Sequence, residues 1–254
     1  MISFVTQVAR QAGQICLKDR ATLTSGNVMF KNPKDLVTET DRRVETFLLD
    51  ALSHRYPDDG ILGEETGATQ GASARRWIID PIDGTTSFVH NQPFYGISIA
   101  LEAEGEIILG AVYAPVLDQM FYAEKGKGAR LNDTPIRISD TKRLDQAVMA
   151  TGFACLRAGR PDNNLARFNR IVPKLRDIRR YGSAALDLCY TACGRLDGYW
   201  EMNLNIYDIA AGIVILKEAG GVVSDFSGEN HFPENGIVSA NPHLHPLLLE
   251  SLGG

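Results

Sequence analysis

No apolar run in the 254-residue chain is long enough to cross a bilayer, so no helical membrane span is expected. The first residues also lack a basic stretch followed by an apolar core and a small-residue cleavage site, and a secretory signal is not expected. Cysteine is scarce. Cys16, Cys155, Cys189 and Cys193 follow no zinc or redox spacing, which points to a reduced, cytoplasmic setting. Cys189 and Cys193 fall within one helical pattern and should share a helix face as small apolar side chains. A strong charge of one sign is missing too: the net charge of −5 argues against direct nucleic-acid binding and against a membrane partner. Repeats and low-complexity linkers are absent. What remains is ordinary globular composition, 44% hydrophobic and 22% charged, enough for one large core. No linker divides the chain, so 1–254 reads as a single domain with a change of texture near residue 140.

The chain is organised around Trp77-Ile78-Ile79-Asp80-Pro81-Ile82-Asp83-Gly84-Thr85-Thr86-Ser87-Phe88. The apolar opening predicts a short buried strand, and Pro81, which cannot donate to a ladder, predicts its end at Asp80. Asp83-Gly84 predicts a turn, and Thr85 to Phe88 the opening of a helix. Two carboxylates at a strand end and the following turn are close enough to share one ion. Free N–H groups at the helix start behind them favour an anion. A cation site beside a phosphate site suits metal-assisted phosphate hydrolysis. The same residues are also ordinary loop chemistry, with Asp83 as a helix N-cap.

Before that stretch, Val5, Val8, Ala12 and Ile15 predict an amphipathic helix over Met1 to about Leu23, broken at Gly26-Asn27. Val28 to Lys31 reads as a strand. Thr38-Glu39-Thr40-Asp41 has capping-box spacing ahead of a helix stopped by Pro57, so Asp41 has a local role as well as a functional reading. Ile61-Leu62 leads to Gly63-Glu64-Glu65, and Thr66 to Ala74 reads as a loop. Phe94 to Leu101 and Ile107 to Tyr113 flank Glu104-Gly105 as a hairpin, and the chain stays strand-rich to about Ile138. Beyond that, strands and helices alternate: a strand at Val148, a helix marked by Leu165, Phe168, Ile171 and Leu175, and a helix over Ala184 to Cys193. A helix from Ile209 to Ala219 and a final one from Leu244 to Leu252 complete the pattern.

Glu64, Asp80, Asp83 and Asp208 each stand where an apolar segment ends, and such junctions converge on ligand crevices in layered α/β proteins. Oxygen ligands without a nearby His or Cys suit Mg²⁺ or Mn²⁺. His243-x-His245 reads as loop or helix-start histidines rather than a metal site.

Asp80-Pro81-Ile82-Asp83-Gly84-Thr85-Thr86-Ser87-Phe88-Val89-His90 resembles the signature of the inositol monophosphatase family. Asp35 to Asp41, Gly63-Glu64-Glu65, Tyr207 to Gly212 and Glu218 to Gly221 match further segments in the same order, so the likeness covers nearly the whole chain. It implies an α/β fold of five layers, α-β-α-β-α, and a Mg²⁺-dependent, lithium-sensitive phosphatase working as a homodimer on a small phosphorylated polyol or sugar. Two to three ions are implied. Glu64, Asp80 and the Ile82 carbonyl would hold one, Asp80, Asp83 and Asp208 a second, and Glu64 a looser third. Gly84 and Thr85 would bind phosphate. Thr85, Asp41 and Glu64 would position the attacking water, with in-line displacement and no phosphoenzyme. Asp83, Gly182, Ser183, Ala184, Glu201 and Asp208 would contact substrate. Arg179 and Arg180 read as substrate contacts, an interface or solvated charge, and Lys31 as a residue near the metal site or a surface lysine.

Tyr207 stands where many members of the family have Trp, Asn205 where Lys or His is usual, and Ser87 where inositol-preferring members have Asn. These departures spare the metal ligands but count against inositol, and inositol 1-phosphate stays the first substrate reading on the strength of the family signature. Histidinol phosphate and fructose 1,6-bisphosphate follow, and Thr86 argues against 3′-phosphoadenosine nucleotides. A second alternative is an RNA-polymerase-associated regulatory protein of the same fold.

Overall fold

A computed structural model describes residues 1–23, 28–32 and 35–253, without the side chains of 28–32 and 35–37. The break placed at Gly26-Asn27 and the side chain of Lys31 lie outside what is described. In chain order the first half holds α1 (Ile2–Arg20), β1 (Val28–Asn32), β2 (Asp35–Thr38), α2 (Glu39–Arg55), β3 (Gly60–Gly63), β4 (Gly67–Thr69), β5 (Arg75–Asp83) and α3 (Thr85–Val89). The meander β6 (Gly96–Ala103), β7 (Glu106–Ala114), β8 (Gln119–Glu124), β9 (Ala129–Leu131) and β10 (Thr134–Ile136) follows. The second half holds β11 (Val148–Thr151), α4 (Ala154–Arg157), α5 (Leu165–Ile171), β12 (Asp177–Arg179), α6 (Ala184–Ala192), β13 (Gly198–Glu201), α7 (Ile206–Glu218), β14 (Val222–Ser224), β15 (Ile237–Ala240) and α8 (Leu244–Gly253).

Two sheets carry the architecture. The larger runs β10-β9-β8-β7-β6-β5-β3-β4 and is antiparallel except where β3 pairs with β5. The smaller runs β12-β11-β13-β15-β14, with β11 parallel to both of its neighbours. Helices α1 and α2 cover one face of the large sheet. Their apolar stripe, Val5, Val8, Ala12, Val44, Leu48 and Leu52, packs on Trp77, Ile79 and Ile97. Helices α6 and α7 fill the space between the sheets, and α5 and α8 close the far side around Trp200 and Val238. The order is helix, sheet, helix, sheet, helix, and β5 is buried on both faces: Trp77 and Ile79 look toward α1 and α2, Ile78 toward α6 and α7.

Local chemistry accounts for most boundaries. The Thr38 hydroxyl caps α2 and the Asp41 carboxylate reaches back to the Thr38 N–H, a complete capping box. Glu104 (φ 53°) and Gly105 (φ 77°) make the tight turn joining β6 to β7. All four cysteines are free; three are buried and Cys193 is half-buried. His245 lies buried in α8 with Nε2 3.0 Å from the Ser224 hydroxyl, a packed role.

Some boundaries differ from the sequence expectation. Strand β5 passes through Pro81 to Asp83, because a bulge absorbs the proline. Part of the loop expected over Thr66 to Ala74 is the edge strand β4, too short and too polar to show a strand pattern. Leu175 falls outside α5, which ends at Ile171 and passes into a 3₁₀ turn containing Pro173. Helix α7 starts at Ile206, three residues early, since the Asp208 carboxylate takes the Asn205 N–H at 2.6 Å and fixes the first turn there. Helix α4, a single turn, was not anticipated.

Candidate functional site

The bulge in β5 builds the site. Asp80 stands opposite Ser98 on β6, and Asp83 stands opposite Gly96, so three steps on one strand face two on the other. The extra residue reverses the alternation: Ile82 turns into the α1–α2 core, and Asp83 joins Asp80 on the face toward α6 and α7. Helix α7 presents Asp208 from its first turn. Asp80, Asp83 and Asp208 thereby bring carboxylate oxygens within 4.8 Å of one another. Glu64, directly after β3, lines the same crevice of about 80 Å³ with Ile82, Gly84 and Thr85.

Electrostatics favour a cation. Burial pushes Asp80 well above the ordinary carboxylate range, and the charges of Glu64, Asp83 and Asp208 push it further. Asp208 is raised by burial and then by Asp83. Burial lifts Asp83 to about 6, offset in part by the Ser183 hydroxyl and backbone N–H groups of α6. Ser183 donates at 2.5 Å and the Ala185 N–H at 2.7 Å, both to Asp83 Oδ2. Two buried acids and a half-buried third this close are an unfavourable arrangement for the chain alone, and their all-oxygen donor set fits a hard divalent ion.

The phosphate side sits at the next turn. Gly84 adopts φ 97°, where an added Cβ would press on the Phe94 carbonyl at 2.9 Å, so glycine is required. The first turn of α3 leaves N–H groups unpaired within the helix. The Thr85 hydroxyl lies 3.3 Å from Asp41 Oδ1 and 3.2 Å from the Ile82 carbonyl oxygen, and donates to one at a time. Asp41 is buried and raised to about 6 by that burial, while its other oxygen accepts the Thr38 N–H at 2.8 Å and hydroxyl at 2.5 Å.

A larger cavity of about 420 Å³ adjoins the crevice, within the range of small-molecule sites. Glu201, Gly182, Ala184, Arg180, Asn205 and Tyr207 line it, whereas Ser183 is turned away as the N-cap of α6. Arg179 pairs at the surface with Asp177 at 2.6 Å. Glu201 is buried at the end of β13, with Oε1 accepting the Ala154 N–H at 3.0 Å and Oε2 the Tyr199 hydroxyl at 2.8 Å. Gly152 leaves room for that carboxylate; a Cβ there would overlap it.

Several residues that shape the site carried no clear motif. Glu45, buried in α2, accepts the N–H groups of Glu65 (2.9 Å) and Thr66 (2.7 Å) and so holds the turn bearing Glu64. Its signal was an acid on the apolar stripe of α2, four residues after Asp41. Gly152, Tyr199 and Arg157 showed none.

A family model described as "Inositol monophosphatase family" matches residues 1–253. An inositol-1-monophosphatase of Mesorhizobium japonicum is 39% identical over 254 residues, covering 99% of this chain and 96% of that protein. A Nus factor SuhB of Pasteurella multocida is 37% identical over 254 residues, covering 99% of this chain and 95% of that one. Among solved structures, the extragenic suppressor protein suhB of Bartonella henselae has a TM-score of 0.94 at 40% identity, covering 99% of this chain and 97% of that chain. An inositol monophosphatase from Anabaena has a TM-score of 0.89 at 34% identity, covering 99% and 94%.

Proposed function

The chain belongs to the inositol monophosphatase family, and we propose on that premise that it hydrolyses a small phosphate monoester with Mg²⁺, inositol 1-phosphate first. The observation that carries this reading is the meeting of Asp80, Asp83 and Asp208 within 4.8 Å beside the Gly84–Thr85 turn. With Glu64 and the Ile82 carbonyl, these residues would hold two to three divalent ions. Mg²⁺ or Mn²⁺ bound there supplies Lewis-acid activation of the phosphoryl group and of the attacking water.

The chain's own groups do the rest. The N–H groups of Gly84 and Thr85 bind phosphate oxygens at the start of α3. Thr85 accepts a hydrogen bond from the attacking water at Oγ1 and donates its own proton toward Asp41 Oδ1, with Glu64 on the same water. The alcohol's hydroxyls meet Glu201, whose two oxygens are held by Ala154 and Tyr199, and Gly182 and Ala184 close that side. Lithium inhibition and a homodimer belong to the same reading.

A phosphate-release panel with and without Mg²⁺ tests it, comparing inositol 1-phosphate, histidinol phosphate, fructose 1,6-bisphosphate and 3′-phosphoadenosine 5′-phosphate. The expected result is Mg²⁺-dependent release, fastest from inositol 1-phosphate. Equal and feeble rates on all four would overturn the substrate, and release indifferent to chelator would overturn the metal chemistry. Relatives named Nus factor SuhB favour a second reading, a regulator bound to RNA polymerase. That role predicts partner binding that survives Asp83→Asn, a change the enzymatic role should not survive.

A further inference from the structure

Five residues line both the metal crevice and the larger cavity: Glu64, Asp83, Gly182, Asp208 and Arg157. The first four already have places in the reaction proposed above. Arg157 has none, yet it stands at the same junction, where the phosphoryl group must meet its leaving alcohol. It is the one cationic side chain lining the crevice among the described residues, and no hydrogen bond or ion pair of its guanidinium is found among them. Arg157 is exposed where the two cavities join, so its guanidinium is open to an incoming anion at the edge of the acidic cluster.

We propose that Arg157 is a catalytic residue whose guanidinium contacts the phosphoryl oxygens on the side away from the carboxylates. This rests on the phosphatase reading and adds a protein-borne charge to it. Divalent ions do little more than offset the acids that hold them, and a phosphate monoester adds about −1.5 to −2 further charge. During in-line transfer that charge spreads over the equatorial oxygens, where a planar fork of donors fits two of them at once.

The mounting of Arg157 links it to alcohol recognition. It ends the single turn α4, whose first N–H, that of Ala154, is held by Glu201 Oε1 at 3.0 Å. The Ala158 N–H returns to the Ala154 carbonyl at 3.0 Å and keeps the turn closed. Glu201 therefore fixes both the alcohol pocket and the residue reaching toward the phosphoryl group.

The test uses the full chain with Arg157→Gln and Arg157→Lys, reading kcat and KM for inositol 1-phosphate at saturating Mg²⁺. Calorimetric titration of inorganic phosphate in Mg²⁺ gives a readout independent of turnover. Arg157→Gln should lower kcat/KM by about 10- to 100-fold, mainly in kcat, and weaken inorganic phosphate about tenfold. Arg157→Lys, which keeps the charge, should recover part of both, and Mg²⁺ affinity measured without phosphate should not move. Wild-type kcat/KM and phosphate affinity in Arg157→Gln would overturn the proposal. Equal losses of kcat in both variants with phosphate affinity intact would also overturn it, assigning the effect to α4. Should the wild-type chain release phosphate from no ester, the phosphatase reading fails on its own, while the phosphate titration still decides Arg157.

Discussion

Asp80 and Asp83 face the same way only because β5 carries one residue more than β6 between them. Three residues apart on a regular strand they would point to opposite faces, one into the site and one into the α1–α2 core. The bulge brings them together with Asp208, and the metal-free protein bears the cost of three mutually repelling carboxyls, two of them buried and the third half-buried.

That cost sets a pH dependence. Asp41 and Asp83 are raised to about 6, and Asp80 and Asp208 are raised well above the ordinary carboxylate value of 3.8. An acid whose folded pKa is raised favours the folded state while protonated. Its contribution is full below the unfolded value and is lost as pH rises through the folded one. Metal-free protein should therefore melt at a lower temperature at about pH 8 than at about pH 5, from carboxylate linkage alone. Mg²⁺ or Mn²⁺ should raise the melting temperature more at the higher pH, because the ion binds the ionised form. A metal-free melting temperature that climbs steadily over this range would contradict the cluster's electrostatics.

Replacing one of these acids should separate stability from activity. Asp208→Asn removes a half-buried charge and keeps an oxygen to accept the Asn205 N–H, now 2.6 Å from the carboxylate. The metal-free variant should melt a few degrees above wild type at about pH 8, gain little from Mg²⁺, and lose at least about a hundredfold in phosphate release. Differential scanning fluorimetry with and without Mg²⁺, beside a phosphate assay, reads all three. A variant that Mg²⁺ still stabilises as strongly as wild type would remove Asp208 from the ion site.

The parts legible in the sequence were those set by local chemistry. Thr38 to Asp41 spelled a cap, Glu104-Gly105 a hairpin, and the apolar spacing of α1 and α2 their buried faces. The bulge was not legible, because Pro81 reads as a strand end unless the partner strand's register is known. Acids placed at segment ends were visible, but which face each one takes depends on that register. Arg157 was out of reach for a different reason: α4 is one turn long, and only the fold around Glu201 gives it a direction.

Glu45 offers a test of how the turn bearing Glu64 is held. Its carboxylate accepts the Glu65 and Thr66 N–H groups, and an added Cβ at Gly63 would lie 2.6 Å from its Oε1. Glu45→Ala leaves both amides without that partner and should cost about 2–5 kcal/mol of stability, read by urea unfolding. Glu45→Gln keeps one acceptor oxygen and should cost less. Both should weaken Mg²⁺ binding, since a loosened turn no longer presents Glu64 to the crevice. Unchanged Mg²⁺ affinity in a folded Glu45→Ala protein would show that the turn holds its position without the buried acid.

Glu201 is held from two sides and crowded from a third, so its two supports should fail differently. Tyr199→Phe removes one charge-assisted hydrogen bond to the carboxylate, worth about 1.5–3 kcal/mol of stability, and should raise KM for a polyol phosphate about two- to tenfold. Gly152→Ala puts a methyl group where the carboxylate now sits, and the backbone of β13 leaves Glu201 little choice but to swing into the alcohol cavity. That displacement blocks the pocket and pulls on Ala154, so its effect should reach kcat as well as KM. An aryl phosphate with no hydroxyls to place should be hydrolysed by Tyr199→Phe nearly as by wild type, while Gly152→Ala should be slower on both substrates. Steady-state kinetics on the two substrates separate the cases: a Gly152→Ala enzyme that discriminates between them as wild type does would mean that Glu201 does not read the alcohol.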